Sequence, residues 1–212
     1  MKNLLFLLSI SLGVVLSSSS TGTDTTTLLK TATTVMVFGD SLSSSYGIPS
    51  EAGWVNLLKK RLQIQSSSYQ VINASVSGET TLGGRNNIEQ ALKNHRPNIV
   101  IIELGANDGL RGLSTKSAYE NLESIIKVCQ RNQITVLLVG MRLPPNYGIT
   151  YTKQFQDIYL QLAKYHRLRL VPFLLENFGD KPEYFQEDGL HPNTQAQEKI
   201  LENVWKELHL LI

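Results

Sequence analysis

Thr34-Val35-Met36-Val37-Phe38-Gly39-Asp40-Ser41-Leu42 is an apolar, β-branched run that stops on Gly-Asp-Ser. Such a run reads as a strand buried on both faces, and the small and polar residues that follow it read as a tight loop at the strand's carboxyl end. The pattern recurs downstream. Tyr69 to Asn73, Asn98 to Leu104, Thr135 to Gly140 and Leu168 to Pro172 are further strand candidates. Between them, helical periodicity fits Gly53 to Gln63, Leu82 to Asn94, Lys116 to Arg131, Thr152 to His166 and Thr194 to Leu208. Alternating strand and helix signals predict an α/β fold: a parallel five-stranded sheet covered by helices on both faces. Thr194 and Gln197 have capping-box spacing, so the last helix is expected to start just after His191.

In such a sheet, ligands bind outside the carboxyl ends of the strands, where the following loops converge. Those loops carry Gly39-Asp40-Ser41, Asn73-Ala74-Ser75-Val76-Ser77-Gly78, Gly105-Ala106-Asn107-Asp108 and, late in the chain, Asp188-Gly189-Leu190-His191-Pro192. A serine hydroxyl needs a neighbouring base to accept its proton, and that base needs a group that fixes its tautomer. Asp188 and His191, three apart with a glycine between, can share one turn in which the carboxylate holds Nδ1 and leaves Nε2 facing Ser41. Acyl transfer also needs donors for a developing oxyanion. The Ser41 and Gly78 backbone N–H groups and the Asn107 side-chain amide are placed to supply them, Gly78 having no Cβ to block a close approach. Asp40, adjacent to the nucleophile, points elsewhere from a strand end and is expected to brace the loop.

These four blocks resemble, in order and spacing, those of the GDSL/SGNH hydrolase family, most closely its bacterial periplasmic branch of acyl-CoA thioesterase I, protease I, lysophospholipase and arylesterase. The resemblance covers essentially Val35 to Leu208 and includes Glu103-Leu104-Gly105, Asn107-Asp108-Gly109-Leu110-Arg111-Gly112 and Arg142-Leu143-Pro144-Pro145-Asn146-Tyr147-Gly148. It implies a three-layer α/β/α sandwich of flavodoxin-like type, with Ser41 as nucleophile, Gly78 and Asn107 completing the oxyanion hole, and Asp188 and His191 completing the triad. Ala106 and Glu79 stand where close relatives often carry Gly and Asp, and Ala106 is placed to narrow the acyl entrance slightly.

Leu110 and Leu113 in the loop after the third strand, and Leu143, Pro144, Pro145 and Tyr147 after the fourth, are apolar residues beside the expected site. They predict a shallow groove for an acyl chain, with the Asp108 to Ser114 loop moving over it and setting length preference. The substrates so implied are acyl or aryl esters, thioesters and lysophospholipids. Two other readings compete. One keeps the triad but deacetylates carbohydrate, which requires a polar, open cleft. The other makes Ser41 and Ser43-Ser44-Ser45 a phosphate or flavin cradle without chemistry, which leaves Asp188 and His191 unexplained.

The remaining residues set the context. The 212 residues suit one domain, with residues 34–212 as the hydrolase domain. A net charge of +2 without a basic run makes nucleic acid an unexpected partner. No cofactor and no metal site are expected: His95, His166 and His209 fall at helix ends, where an imidazole usually faces solvent or the helix dipole. Trp54 and Trp205 have the spacing of core residues, and the single cysteine, Cys129, lies on an apolar helix face, so it is expected to be buried and no intrachain disulfide can form. Lys2 followed by the apolar Leu4 to Leu16 reads as a signal peptide over residues 1–20, and the Ser/Thr-rich segment after it as a flexible leader over 21–33. An uncleaved N-terminal anchor is the rival reading. The mature protein is expected to be a periplasmic or secreted monomer without a stable membrane anchor.

Overall fold

The computed structural model describes residues 32–212. The expected signal peptide and nearly all of the leader lie outside the described residues, and the last leader residue, Thr33, is already the first residue of a strand. Five strands, β1 (Thr33–Gly39), β2 (Tyr69–Asn73), β3 (Ile99–Glu103), β4 (Thr135–Val139) and β5 (Arg169–Val171), form one sheet in the order β2-β1-β3-β4-β5. All four pairings are parallel. The central strands are buried along nearly their whole length, whereas the edge strands β2 and β5 are only partly covered. That is why β1, β3 and β4 are continuous apolar runs, while β2 carries polar residues.

Helices α1 (Trp54–Gln65) and α6 (Gln197–Leu208) pack together against the sheet, as do α2 (Thr81–His95), α4 (Thr115–Arg131) and α5 (Ile149–His166) as a second group. The expected three-layer sandwich is therefore present. In α4 the buried residues Ala118, Leu122, Ile125, Ile126 and Cys129 recur at helical spacing, and Ser114 caps its start by accepting from the Ser117 N–H. Cys129 and Trp54 are buried as expected; Trp205 is only partly so, with the Arg61 guanidinium over its ring. Among the described residues, no helix is long and apolar enough to cross a membrane.

Two local expectations need correction. The last helix begins with a 3-10 turn over Thr194–Ala196, capped by Asn193, whose side chain accepts from the Gln195 N–H; Thr194 is not the cap. Gln197 does not reach back to a capping N–H: its Oε1 accepts from the Trp54 N–H, tying α6 to the start of α1. A short helix, α3 (Ala106–Leu110), also follows β3 where a loop was expected.

Candidate active site

The pairing of β1 with β3 sets Gly39 beside Glu103 at the carboxyl edge of the sheet. Immediately after Gly39 the chain turns sharply: the N–H groups of Ser43 and Ser44 both donate to Asp40 O, and the Leu42 N–H donates to Asp40 Oδ1 at 3.0 Å. Ser41 sits at the head of this turn, half-buried. Asp40 is fully buried, and its Oδ2 accepts from Asn107 Nδ2 at 3.1 Å. It braces the loop, as expected. Burial pushes its carboxyl up to about 6, opposed by the hydrogen bond from Leu42 and the charge of His191.

The partner loop comes from the other end of the chain. Asp188 Oδ1 accepts from the Leu190 and His191 N–H groups at 2.9 and 3.0 Å, a turn that Gly189 permits by its φ of +67°. Asp188 Oδ2 lies 2.6 Å from His191 Nδ1, the length of a charge-assisted bond. The backbone hydrogen bond from His191, then that from its ring and that from the Leu190 N–H, hold the Asp188 carboxyl down at about 2. With Nδ1 so engaged, His191 Nε2 lies 3.0 Å from Ser41 Oγ. The Tyr46 ring packs 4.4 Å from the imidazole, and Gln186 joins the loops by donating to Tyr46 O. The two loops therefore hold each other in register.

Ser41 and Gly78 are free to donate: neither backbone N–H has an acceptor among the described residues. Gly78 has a φ of +78°, and an added Cβ there would meet nothing nearer than Arg111 Nη2 at 3.9 Å. Its left-handed backbone is a conformation that favours glycine. Asn107, in the first turn of α3, is differently placed. Both hydrogens of its Nδ2 are engaged, one by Asp40 Oδ2 and one by Glu79 O at 2.9 Å.

A cavity of about 660 Å³ opens beside Ser41, Asn107 and His191. Leu110, Leu143, Pro144 and Pro145 line it, as expected, together with Ala106. Leu113 and Tyr147 do not. Leu113 is 43% exposed on the outer surface, and its carbonyl accepts from Tyr151 Oη; Tyr147 Oη donates to Leu110 O, so this tyrosine props the α3 segment from behind. Asp108, at the start of the segment expected to move, is buried and accepts from Thr81 N and Oγ1 at 2.8 and 2.6 Å. The segment is pinned at that end. The far wall, Phe173, Leu175, Asn177 and Asp180 with Glu176 and Arg142, escaped sequence reasoning. Apart from Arg142, which follows β4, it belongs to the long connection after β5, whose position depends on how the chain returns to the sheet.

The serine-rich turn is not arranged as an anion cradle. Ser43 Oγ donates to Glu103 Oε2 at 2.7 Å, and Ser44 Oγ pairs with Ser77 Oγ at 2.8 Å. Of the other histidines, His166 is less exposed than its helix-end position suggested: its side chain is 7% exposed and lies 3.3 Å from Glu123 Oε1. His209 Nδ1 meets Trp205 O at 2.8 Å, one turn back on its own helix end. Among the described residues no group of three or more His, Cys, Asp or Glu is placed to hold a metal ion.

Residues 37–199 match the model of the GDSL-like lipase/acylhydrolase family. The chain is 42% identical over 181 residues to Esterase TesA of Pseudomonas aeruginosa, covering 85% of this chain and 90% of that one. It is 44% identical over 174 residues to an Arylesterase of Vibrio mimicus, covering 82% and 87% respectively. It is 39% identical over 181 residues to Thioesterase 1/protease 1/lysophospholipase L1 of Escherichia coli, covering 85% and 86%. A crystal structure of TesA superposes with a TM-score of 0.82, covering 84% of this chain and 99% of that one.

Proposed function

The chain belongs to the GDSL-like lipase/acylhydrolase family and is a serine esterase, and from that premise we propose that Ser41, Asp188 and His191 are its catalytic triad. The observation that carries the proposal is the unbroken line from Asp188 Oδ2 through His191 to Ser41 Oγ, at 2.6 and 3.0 Å. His191 Nε2 takes the Ser41 proton as Oγ attacks the acyl carbon. The ionised Asp188 keeps the ring in the tautomer that presents a lone pair and stabilises the imidazolium. The N–H groups of Ser41 and Gly78 take the oxyanion, and the Asn107 amide joins them by letting go of one of its two protein acceptors. Collapse expels the alkoxide, phenolate or thiolate, which leaves with the proton from His191. Water, activated by the same imidazole, then cleaves the acyl-enzyme.

The substrates are carboxylic esters and thioesters whose acyl chain lies in the cavity along Leu110, Leu143, Pro144 and Phe173. Lysophospholipids and acyl-CoA fit this class, and the names of the relatives support it. A carbohydrate deacetylase is the second reading, favoured by Arg142, Glu176, Asn177 and Asp180 on the far wall; the leucine, proline and phenylalanine side chains that face Ser41 favour an acyl chain. The Lys2 n-region and the Leu4 to Leu16 stretch support export to the periplasm or beyond, where the enzyme acts as a monomer.

A fluorophosphonate probe tests the triad: it labels Ser41 in the wild type, and Ser41→Ala and His191→Ala lose both labelling and nearly all turnover while keeping the wild-type melting temperature. Labelling at another residue overturns the assignment. Rates on nitrophenyl acetate, nitrophenyl decanoate, a lysophospholipid, an acyl-CoA and an acetylated sugar then rank the substrates; a preference for the sugar refutes the acyl cavity.

A further inference from the structure

Beneath the Ser41 turn lies an acid that the mechanism does not use. Glu103 is the last residue of β3 and is fully buried. Its Oε2 accepts from Ser43 Oγ at 2.7 Å and from the Asp40 N–H at 3.4 Å. Its Oε1 has no hydrogen-bond partner. Across the strand pair is Gly39, and a Cβ built there would lie 2.7 Å from Glu103 Oε2, 2.9 Å from Glu103 O and 3.0 Å from Ser43 Oγ. The glycine before Asp40-Ser41 is thus the space in which the Glu103 carboxyl sits.

We propose that Glu103 is a positioning residue for the esterase reaction: as a neutral acid lodged in the gap at Gly39, it holds Ser43 and Asp40 and thereby fixes the turn that aims Ser41. This rests on the triad assignment above. Three considerations converge on it. First, the two donors that Glu103 engages flank Ser41 on either side, so the carboxyl fixes the nucleophile's backbone without touching substrate. Second, a carboxylate at this depth would leave a charged oxygen unpartnered, which is among the costliest arrangements in a protein interior. Third, the titratable groups that face it are themselves an acid and a phenol, Asp40 from the turn after β1 and Tyr159 from α5; Asp108 from α3 acts on both of these, and His191 on Asp40. Burial, and then the Asp40 charge, push the Glu103 carboxyl well above the ordinary range. Of the pair, Asp40 is the one that bears the charge in the working enzyme, because its carboxyl accepts from Leu42 and Asn107.

The test compares Glu103→Gln with Glu103→Leu in the full chain, measuring kcat and KM on nitrophenyl butyrate, the rate of fluorophosphonate labelling and the melting temperature from pH 6 to pH 9. The amide of Glu103→Gln keeps a neutral acceptor where Oε2 lies, so kcat stays within about fivefold of wild type, the change expected for one weakened hydrogen bond. Glu103→Leu keeps KM but loses about tenfold to a hundredfold in kcat and in labelling rate, as a displaced nucleophile should. A group whose folded pKa is raised contributes stability below its unfolded pKa and loses it as pH rises through the folded one. The wild type therefore loses melting temperature toward pH 9 more steeply than Glu103→Gln. A Glu103→Gln variant as slow as Glu103→Leu shows that a charge is required and overturns the proposal. So does a Glu103→Leu variant with wild-type kcat. Should Glu103→Leu fail to fold, Ser43→Ala takes its place: kcat falls with KM unchanged, and wild-type kcat overturns the proposal. An unlabelled wild-type Ser41 refutes the triad itself, whereas a labelled wild type with Glu103 variants labelled at the same rate refutes only the positioning role.

Discussion

Removing the Asn107 side chain should injure rate and stability by different routes, and the two can be separated. Loss of an oxyanion donor that is free in the resting enzyme commonly costs about 3–4 kcal/mol of transition-state stabilisation. Asn107 is not free. Its Nδ2 donates to Asp40 Oδ2 and to Glu79 O, so stabilising an oxyanion means giving up one of these bonds. A net hydrogen bond is worth about 1 kcal/mol, which leaves about 2–3 kcal/mol, or roughly a 30- to 150-fold fall in kcat for Asn107→Ala. In the same variant the buried Asp40 Oδ2 loses its partner. An unsatisfied buried acceptor costs about 1–3 kcal/mol, which at roughly 2–4 °C per kcal/mol predicts a melting temperature lower by about 2–12 °C. Steady-state kinetics on nitrophenyl butyrate and calorimetry at pH 7 read the two effects. A variant with wild-type kcat would remove Asn107 from the oxyanion hole. A full thousandfold loss without any fall in melting temperature would mean that its amide does not bridge Asp40 and Glu79 in solution.

Other expectations follow from the same geometry. Leu110→Ala, at the cavity wall, should slow hydrolysis of decanoyl esters more than acetyl esters, and an equal loss across chain lengths counts against an acyl groove there. Asp188 has a depressed folded pKa, so its stabilising contribution persists until the pH falls toward about 2. Asp40 has the opposite sign: raised to about 6, it contributes stability below the ordinary Asp value and loses it as pH rises through the folded value. The loss is of order ~3 kcal/mol between acidic and neutral pH, and Asp40→Asn should flatten that slope in urea titrations.

The strands and helices were legible because buried strands are written as apolar runs, and the four loop blocks because polar residues at strand ends are few and distinctive. The residues that escaped share a reason: their roles are set by what they meet across the fold. Helix α3 has five residues, too few to show a period. Tyr147 and Leu113 lie in the right loops, but which way each faces is decided by the packing of α3 against α5. Phe173, Leu175 and Asn177 lie in a connection with no motif of its own. Thr194 and Gln197 matched a capping pattern, yet Asn193 was one residue nearer to the turn, and Trp54 supplied Gln197 with a better donor. Glu103 is the clearest case. Nothing local to Glu103 assigns it a role, and only the register with Gly39 and its burial show that it is enclosed beneath the Ser41 turn.

Ser41 and His191 are separated by 150 positions along the chain. Ser41, its turn and all five strands precede the proposed base in the chain. A chain that ends at Leu190 carries Ser41 without the imidazole that faces it, and an unassisted serine hydroxyl is a weak nucleophile. With Ser41, Asp188 and His191 as the triad, activity needs both ends of the described chain to have folded together, so a chain truncated before His191 should show no turnover.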